Sequence, residues 1–277
     1  MQYGINTLLW TAAFDDSHTR LFPQIKQGGF DGVEIARFEF GSFPVKQVRR
    51  SLEANGLQGL VCTALTGEQS LVSDDADVRR RTRDFLLDGI RMVAELGGDT
   101  MVGPFCSAVG YLCGRRRTED EWKRAVEGLQ SLTSSLDQYQ VTLAVEPLNR
   151  FETFFLNTTA DAVELCKQVA HPRVGILFDT FHANIEEKDI GAALESGGEY
   201  IKHVHTCEND RGTPGSGHVE WPSVFAALKA IRYDKWLVIE SFGSAMPELA
   251  KAACIWRDLA PTSDEIAYEG VQFLKRA

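Results

Sequence analysis

No window of this sequence approaches the roughly 18 to 20 consecutive apolar residues of a membrane span, so no helical span is expected. Basic residues are the minority: 29 Lys and Arg stand against 39 Asp and Glu, a formal net charge of −10. That balance favours solubility and opposes non-specific binding to nucleic acid or to an anionic membrane. The opening stretch Met1-Gln2-Tyr3-Gly4-Ile5-Asn6 lacks a basic region and an apolar signal core, so a cytoplasmic location is expected. Cysteine is sparse and scattered. Cys62, Cys106, Cys113, Cys166, Cys207 and Cys254 form no C-x-x-C pair and resemble neither a zinc knuckle nor a disulfide framework, so they read as small buried hydrophobes. Nucleophile motifs such as G-x-S-x-G are absent, no G-x-G-x-x-G follows the first apolar stretch, and no Pro- or Ser-rich linker divides the chain.

What is present is a repeated strand ending. Val141-Thr142-Leu143-Ala144-Val145 runs straight into Glu146-Pro147. A run without polar alternation reads as a strand buried on both faces, the habit of parallel sheets. Pro147 cannot donate to a ladder, so the strand should stop at Glu146. The same grammar returns in Gly175-Ile176-Leu177-Phe178-Asp179, Ile201-Lys202-His203-Val204-His205 and Trp236-Leu237-Val238-Ile239-Glu240.

In chain order, strands are expected at 4–9, 30–35, 57–62, 100–103, 141–146, 175–179, 201–205 and 236–240. Helices are expected over 16–28, 45–55, 74–96, 118–139, 159–169, 186–196 and 222–231, and the remainder reads as mostly helical. Asp16 or Ser17 should cap the first helix, and Thr118 with Glu121 forms a capping box. Arg79, Arg80, Arg81 and Arg83 on the 74–96 helix read as a solvated face. Eight alternations over 277 residues predict an α/β fold, a (β/α)8 barrel built as a single domain over 1–277. A doubly wound open sheet is the fallback.

Glu146, Asp179, His205 and Glu240 lie 33, 26 and 35 residues apart, close to one βα unit each. They should therefore come from the C-terminal ends of four successive strands, where such barrels keep their chemistry. Taken singly, each reads as a rim carboxylate or a satisfied histidine. Together, three carboxylates and an imidazole suit Mn²⁺, Mg²⁺, Co²⁺ or Zn²⁺, and converging carboxylates are costly without a cation. His203, two residues before His205 on the same face, reads as a buried support. Glu152, His182 and Arg211 follow in the same loops and would surround a polyhydroxylated or enediolate-like ligand. The glycine-rich loop from Arg211 to His218 reads as a mobile lid, or less readily as a phosphate site, since no lysine accompanies it.

At these residues the sequence resembles the ketose 3-epimerases, the D-tagatose and D-allulose (D-psicose) 3-epimerase group of the xylose-isomerase-like barrels. The motifs are Val145-Glu146-Pro147-Leu148-Asn149-Arg150 with Glu152, Phe178-Asp179-Thr180-Phe181-His182, His203-Val204-His205 with Glu208-Asn209-Asp210-Arg211-Gly212, Ile239-Glu240-Ser241-Phe242, and Cys62-Thr63-Ala64-Leu65. The resemblance implies a divalent metal, Mn²⁺ foremost with Co²⁺ or Mg²⁺ as alternatives, held by Glu146, Asp179, His205 and Glu240. It implies that Glu146 and Glu240 double as the acid/base pair, that Glu152, His182 and Arg211 bind the O1 to O3 end of a free ketose, and that Cys62, Phe242 and Trp10 line the apolar end. It also implies a homodimer or homotetramer. Rivals on the same scaffold are hydroxypyruvate-isomerase-like and inosose-dehydratase-like enzymes. An AP-type endonuclease would want more ligands and a basic groove than six histidines and this charge supply. A sugar-binding protein without turnover would leave the paired glutamates idle.

Overall fold

The computed structural model describes residues 1–243 and 246–277. Eight parallel strands close into a barrel in chain order, β1 pairing with both β2 and β8. They are β1 Gln2–Asn6, β2 Gly32–Ala36, β3 Gln58–Cys62, β4 Thr100–Gly103, β5 Thr142–Val145, β6 Val174–Asp179, β7 Ile201–His205 and β8 Trp236–Ile239. The helices are α1 Phe22–Gln27, α2 Val45–Ala54, α3 Ala76–Leu96, α4 Glu119–Gln130, α5 Thr133–Tyr139, α6 Thr159–Val169, α7 Thr180–Glu186, α8 Ile190–Gly197, α9 Trp221–Ala230, α10 Pro247–Ala252 and α11 Ser263–Arg276. The sequence expectation of a (β/α)8 barrel is met.

The strands are buried because both faces of the barrel wall are covered, and most of their residues are apolar. The outer faces pack on the helices in one continuous core that includes Phe22, Ile25, Leu52, Ile90, Leu129 and Leu165. Each such side chain, fully buried, contributes roughly 1.5–3 kcal/mol. Inside the barrel, Leu60, Trp236 and Val238 form one small cluster, and Cys62, Val102, Ala144 and Leu177 another. Gly32 is required here, since a Cβ on it would lie 2.5 Å from the Trp236 ring. Gly103 is required at the other end of the barrel: its φ is +141° and a Cβ would lie 1.8 Å from the Thr63 carbonyl oxygen. That close approach leaves the Gly103 carbonyl to accept from the Glu146 N–H (2.9 Å).

Four expected boundaries differ, each for a local reason. The first strand stops at Asn6 because the Asn6 side chain accepts from the Leu8 N–H and starts a 3₁₀ turn over Thr7–Leu9. The 16–28 segment is a 3₁₀ turn, Asp16–Leu21, followed by α1; Asp15, rather than Asp16 or Ser17, caps it. The 118–139 helix is two helices, α4 and α5. Ser131 Oγ donates to the Gly128 carbonyl and Thr133 Oγ1 to that of Gln130, so hydroxyls compete with the helix ladder at the break. The Thr118–Glu121 capping box is present. The 186–196 helix is replaced by α7 and α8, which part at Glu187, an extended residue whose carboxylate accepts from the Thr159 N–H. After β8 the chain is helical over α10 and α11, with an irregular 253–262 between them. No helix among the described residues is long and apolar enough to cross a membrane.

Candidate active site and metal centre

The register of the barrel brings the four strand-end residues together. Asp179 and His205 are partners across β6 and β7, and His205 is level with Val238 of β8. Glu146 and Glu240 follow β5 and β8 by one residue. The ligand atoms of Glu146, Asp179, His205 and Glu240 all lie within 4.8 Å of one another, and all four residues are buried. Asp179 divides its work: Oδ1 caps α7 by accepting from the Phe181 N–H (2.6 Å), while Oδ2 faces the cluster. His205 Nδ1 lies 3.4 Å from Glu240 Oε2 and 3.7 Å from Asp179 Oδ2 without a hydrogen-bond partner. A buried imidazole nitrogen aimed at three carboxylates, with no proton acceptor or donor in proper geometry, is what a divalent cation would satisfy. The donor set fits such an ion.

Arg211 supplies the nearest positive charge. Its Nη1 donates to Asp179 Oδ2 and to Glu240 Oε2, both at 2.8 Å, and its guanidinium stacks on the rings of Phe181 (4.1 Å) and Phe242 (5.2 Å). Its backbone sits in the left-handed region (φ 67°) and its carbonyl accepts from Ser241 Oγ. His182 links the two halves of the site, with Nε2 3.0 Å from Arg211 Nη2 and 3.6 Å from Glu146 Oε1. The backbone N–H of Asn149 donates to His182 Nδ1 (3.1 Å) and holds the ring in place. Among the described residues Glu152 joins through Asn149, whose Nδ2 donates to its Oε1 at 2.8 Å.

The charges are unevenly settled. Burial, with Glu240 and Asp179 beside it, pushes the Glu146 carboxyl well above its ordinary range. Burial would raise Asp179 too, but the Arg211 guanidinium and the His182 and His205 rings hold it well below. Burial keeps His182 below its usual value despite the Asp179 charge.

Of the expected apolar lining, Cys62 Sγ lies 4.0 Å from Glu240 Oε1, and Phe242 packs with Leu8, Ala36 and Leu249. Trp10 donates its indole N–H to Asp264 at the start of α11 (2.8 Å), so its polar end is committed away from the four donors. His203 is fully buried one layer below His205, as a support should be. A cleft of about 660 Å³ between the loops after β3 and β4 is lined by Gly67, Asp74, Arg81, Tyr111 and Arg115 and by none of the four donors. Chemistry, not volume, marks the site.

The Arg211–His218 loop is not a free lid. The buried Glu208 carboxylate accepts from the N–H groups of Asn209, Gly215 and Val219 and from Trp221 Nε1, all at 2.8–3.1 Å. Within the loop the N–H groups of Arg211, Gly212, Gly215, Ser216 and His218 also donate inside the protein, which takes them from a phosphate. Sequence reasoning also passed over Glu34, Asn6, Asn149 and Cys207. Glu34 is fully buried, takes a hydrogen bond from Asn6 Nδ2 and lies 2.8 Å from His205 Nε2. Its signal was available: an acid inside the apolar stretch Val33-Glu34-Ile35-Ala36.

A family model described as a xylose isomerase-like TIM barrel matches residues 22–277. A probable ketose 3-epimerase of Synechocystis sp. is 36% identical over 276 residues, covering 100% of this chain and 96% of the relative. A D-psicose 3-epimerase of Ruminiclostridium cellulolyticum is 30% identical, covering 96% and 92%. The crystal structure of a D-allulose 3-epimerase from Methylomonas sp., in complex with D-allulose, superposes with a TM-score of 0.94 at 27% identity, covering 100% of this chain and 96% of that one. The chain belongs to the xylose isomerase-like TIM barrels and, within them, to the ketose 3-epimerases, enzymes of the isomerase class.

Proposed function

We propose that this enzyme inverts C3 of free ketoses, interconverting D-fructose with D-allulose, D-tagatose with D-sorbose and L-ribulose with L-xylulose. The observation that carries the reading is a pair of buried carboxylates, Glu146 after β5 and Glu240 after β8, three strands apart around an eight-stranded ring and converging on one space. Inversion at C3 needs a proton removed from one face and returned to the other, and two carboxylates on opposite sides meet that need. An aldose–ketose isomerase can work with one.

Glu146, Asp179, His205 and Glu240 would hold a divalent metal, Mn²⁺ foremost with Co²⁺ or Mg²⁺ as alternatives, which when bound polarises the carbonyl side of the sugar and acidifies the C3 proton. One glutamate takes that proton, giving a cis-enediolate, and the other delivers a proton to the opposite face. Which of the two deprotonates depends on the epimer bound. His182 Nε2 and Arg211 Nη2 lie 3.0 Å apart, within hydrogen-bond reach of each other, and form one polar edge beside the four donors. The oxygens at the O1 to O3 end of the sugar suit that position, with Glu152 beyond Asn149 completing the polar wall. Cys62, Phe242 and Trp10 form the less polar end.

The whole chain 1–277 acts as one domain in this reading, in the cytoplasm, where six free cysteines, four of them buried, suit a reducing compartment. It works as a homodimer or homotetramer. Exposed Tyr111, Leu112 and Phe151 support self-association, since the Gly110 N–H to Glu152 carbonyl bond (2.8 Å) joins their two loops.

The test is ¹H NMR of the Mn²⁺-loaded protein with D-fructose, D-tagatose or L-ribulose in D₂O. Deuterium entering C3 together with the C3 epimer, and stopped by EDTA, is the expected result. Exchange at C1 with an aldose appearing would move the assignment to an isomerase, and no exchange with any free ketose would overturn it.

A further inference from the structure

Glu34 has no part in the chemistry above, yet it is a fully buried acid inside the barrel. It lies mid-strand on β2, fully buried, and its carboxylate crosses the interior to β7. Oε1 accepts from Asn6 Nδ2 (2.8 Å) and lies 2.8 Å from His205 Nε2; Oε2 lies 2.9 Å from His203 Nε2, at angles outside those of a good hydrogen bond. An ionised carboxylate in such surroundings persists only with partners that donate to it. Asn6 and His205 do so directly, and His203 faces the second oxygen.

The consequence falls on His205. A neutral imidazole carries one proton and one lone pair. With the Nε2 proton directed at Glu34, the lone pair belongs to Nδ1, and Nδ1 is the nitrogen that faces Asp179 and Glu240 without a hydrogen-bond partner. We propose that Glu34 is the positioning residue of the metal centre. It fixes the tautomer and the ring orientation of His205 so that Nδ1 is the metal-binding nitrogen, while His203 braces the same carboxylate from the layer below. This rests on the metal reading of the cluster given under Proposed function. Partners of this kind typically change metal affinity by about 10- to 100-fold. The competing arrangement is a second cation held by Glu34, His203 and His205, whose donor atoms also lie within 4.8 Å of one another. In that case Glu34 is a ligand and orients nothing.

The experiment is Mn²⁺ titration of the chelator-stripped full-length protein, by calorimetry and electron paramagnetic resonance, on wild type, Glu34→Gln and Glu146→Gln. The proposal expects one Mn²⁺ per wild-type chain and binding about 10- to 100-fold weaker in Glu34→Gln. The stripped Glu34→Gln variant should keep its circular dichroism and unfolding curve, and kcat should recover at saturating Mn²⁺. Glu34→Gln with wild-type affinity overturns the proposal, as do two ions per wild-type chain with one lost in the variant. If neither variant weakens binding, or the wild type binds no Mn²⁺, the metal reading fails first, a result distinct from failure of Glu34→Gln alone. Should Glu34→Gln not fold, ¹⁵N-histidine spectra of the Zn²⁺-loaded wild type decide. A protonated Nε2 with a metal-shifted Nδ1 on His205 supports the proposal, and coordination through Nε2 overturns it.

Discussion

At the scale of single residues, the site separates groups that hold charge from groups that move protons. Asp179 is kept ionised by Arg211 and spends one oxygen capping α7, so it is poorly suited to carry a proton. Glu146 and Glu240 cap no helix and are the carboxylates left to do so, although Arg211 also donates to Glu240 Oε2. If each serves one face of the sugar, removing one should uncouple exchange from inversion. Glu146→Gln and Glu240→Gln are each expected to lose epimer formation by about 10²–10⁴-fold, the usual weight of a positioned acid or base. Each should still wash deuterium into C3 of the epimer whose proton faces the surviving carboxylate. The measurement is C3 exchange in D₂O from both epimers with each variant. If both variants exchange the same epimer, or either inverts C3 at the wild-type rate, the two-face assignment is wrong. The four strand-end residues were legible because each ends an apolar run, a pattern that survives without knowledge of the fold. Asn149 was not, and Glu34 showed only as an acid inside an apolar stretch, because their roles depend on what lies across the barrel. Asn149 reaches His182 33 residues later, and Glu34 reaches His205 171 residues later.

Among the elements, the loop between β7 and α9 shows how a binding residue is held. Arg211 sits in the left-handed region, and Glu208 gathers four N–H donors around its base. Removing this carboxylate leaves two buried donors, Val219 N–H and Trp221 Nε1, unmet, at about 1–3 kcal/mol each. Glu208→Ala should therefore loosen the loop and raise KM for the ketose by at least tenfold, with the far-UV spectrum little changed; unchanged steady-state kinetics would contradict this. Glu121 plays a similar part at the start of α4. It closes the capping box with Thr118 and takes two hydrogen bonds from Arg115. The Arg115 hydrogen bonds, with help from the Thr118 N–H, hold its carboxyl down to about 2 against an ordinary 4.5. The folded value is the lower one, so this stabilisation is complete above about pH 4.5 and is lost as pH falls from there toward 2. Melting curves of wild type and Glu121→Gln should differ at pH 6 and converge toward pH 3; a constant gap would remove Glu121 from the acid response. The capping box was readable as Thr118 and Glu121 three apart. The break at Ser131 and Leu132 was not, since hydroxyls that compete for helix carbonyls show in the sequence only as two more polar residues, Ser131 and Thr133.

For the molecule as a whole, barrel closure turns four distant residues into one site and couples that site to stability. The alternation of apolar strands and amphipathic helices was enough to anticipate eight βα units, because covered parallel strands need no polar face. It did not specify which loop is stapled. The closed ring has a further consequence. Glu146, Asp179, His205 and Glu240 follow or end β5, β6, β7 and β8, so a cation among them ties half of the barrel together in the folded state. An ion that binds the native state alone adds RT ln(1 + [L]/Kd), about 2.7 kcal/mol at a hundredfold excess over Kd. For a chain of this size each kcal/mol moves Tm by roughly 2–4 °C. Adding Mn²⁺ to chelator-stripped protein at that excess should raise Tm by about 5–10 °C, and EDTA should reverse the shift. Removing Glu146 deletes a donor and also relieves repulsion between buried carboxylates. The stripped Glu146→Gln variant should then melt at or above the stripped wild type while gaining much less from Mn²⁺. A wild type whose melting is indifferent to Mn²⁺, or a Glu146→Gln variant that gains as much as wild type, would mean that the converging carboxylates are balanced by Arg211 alone and that the cluster does not depend on a metal.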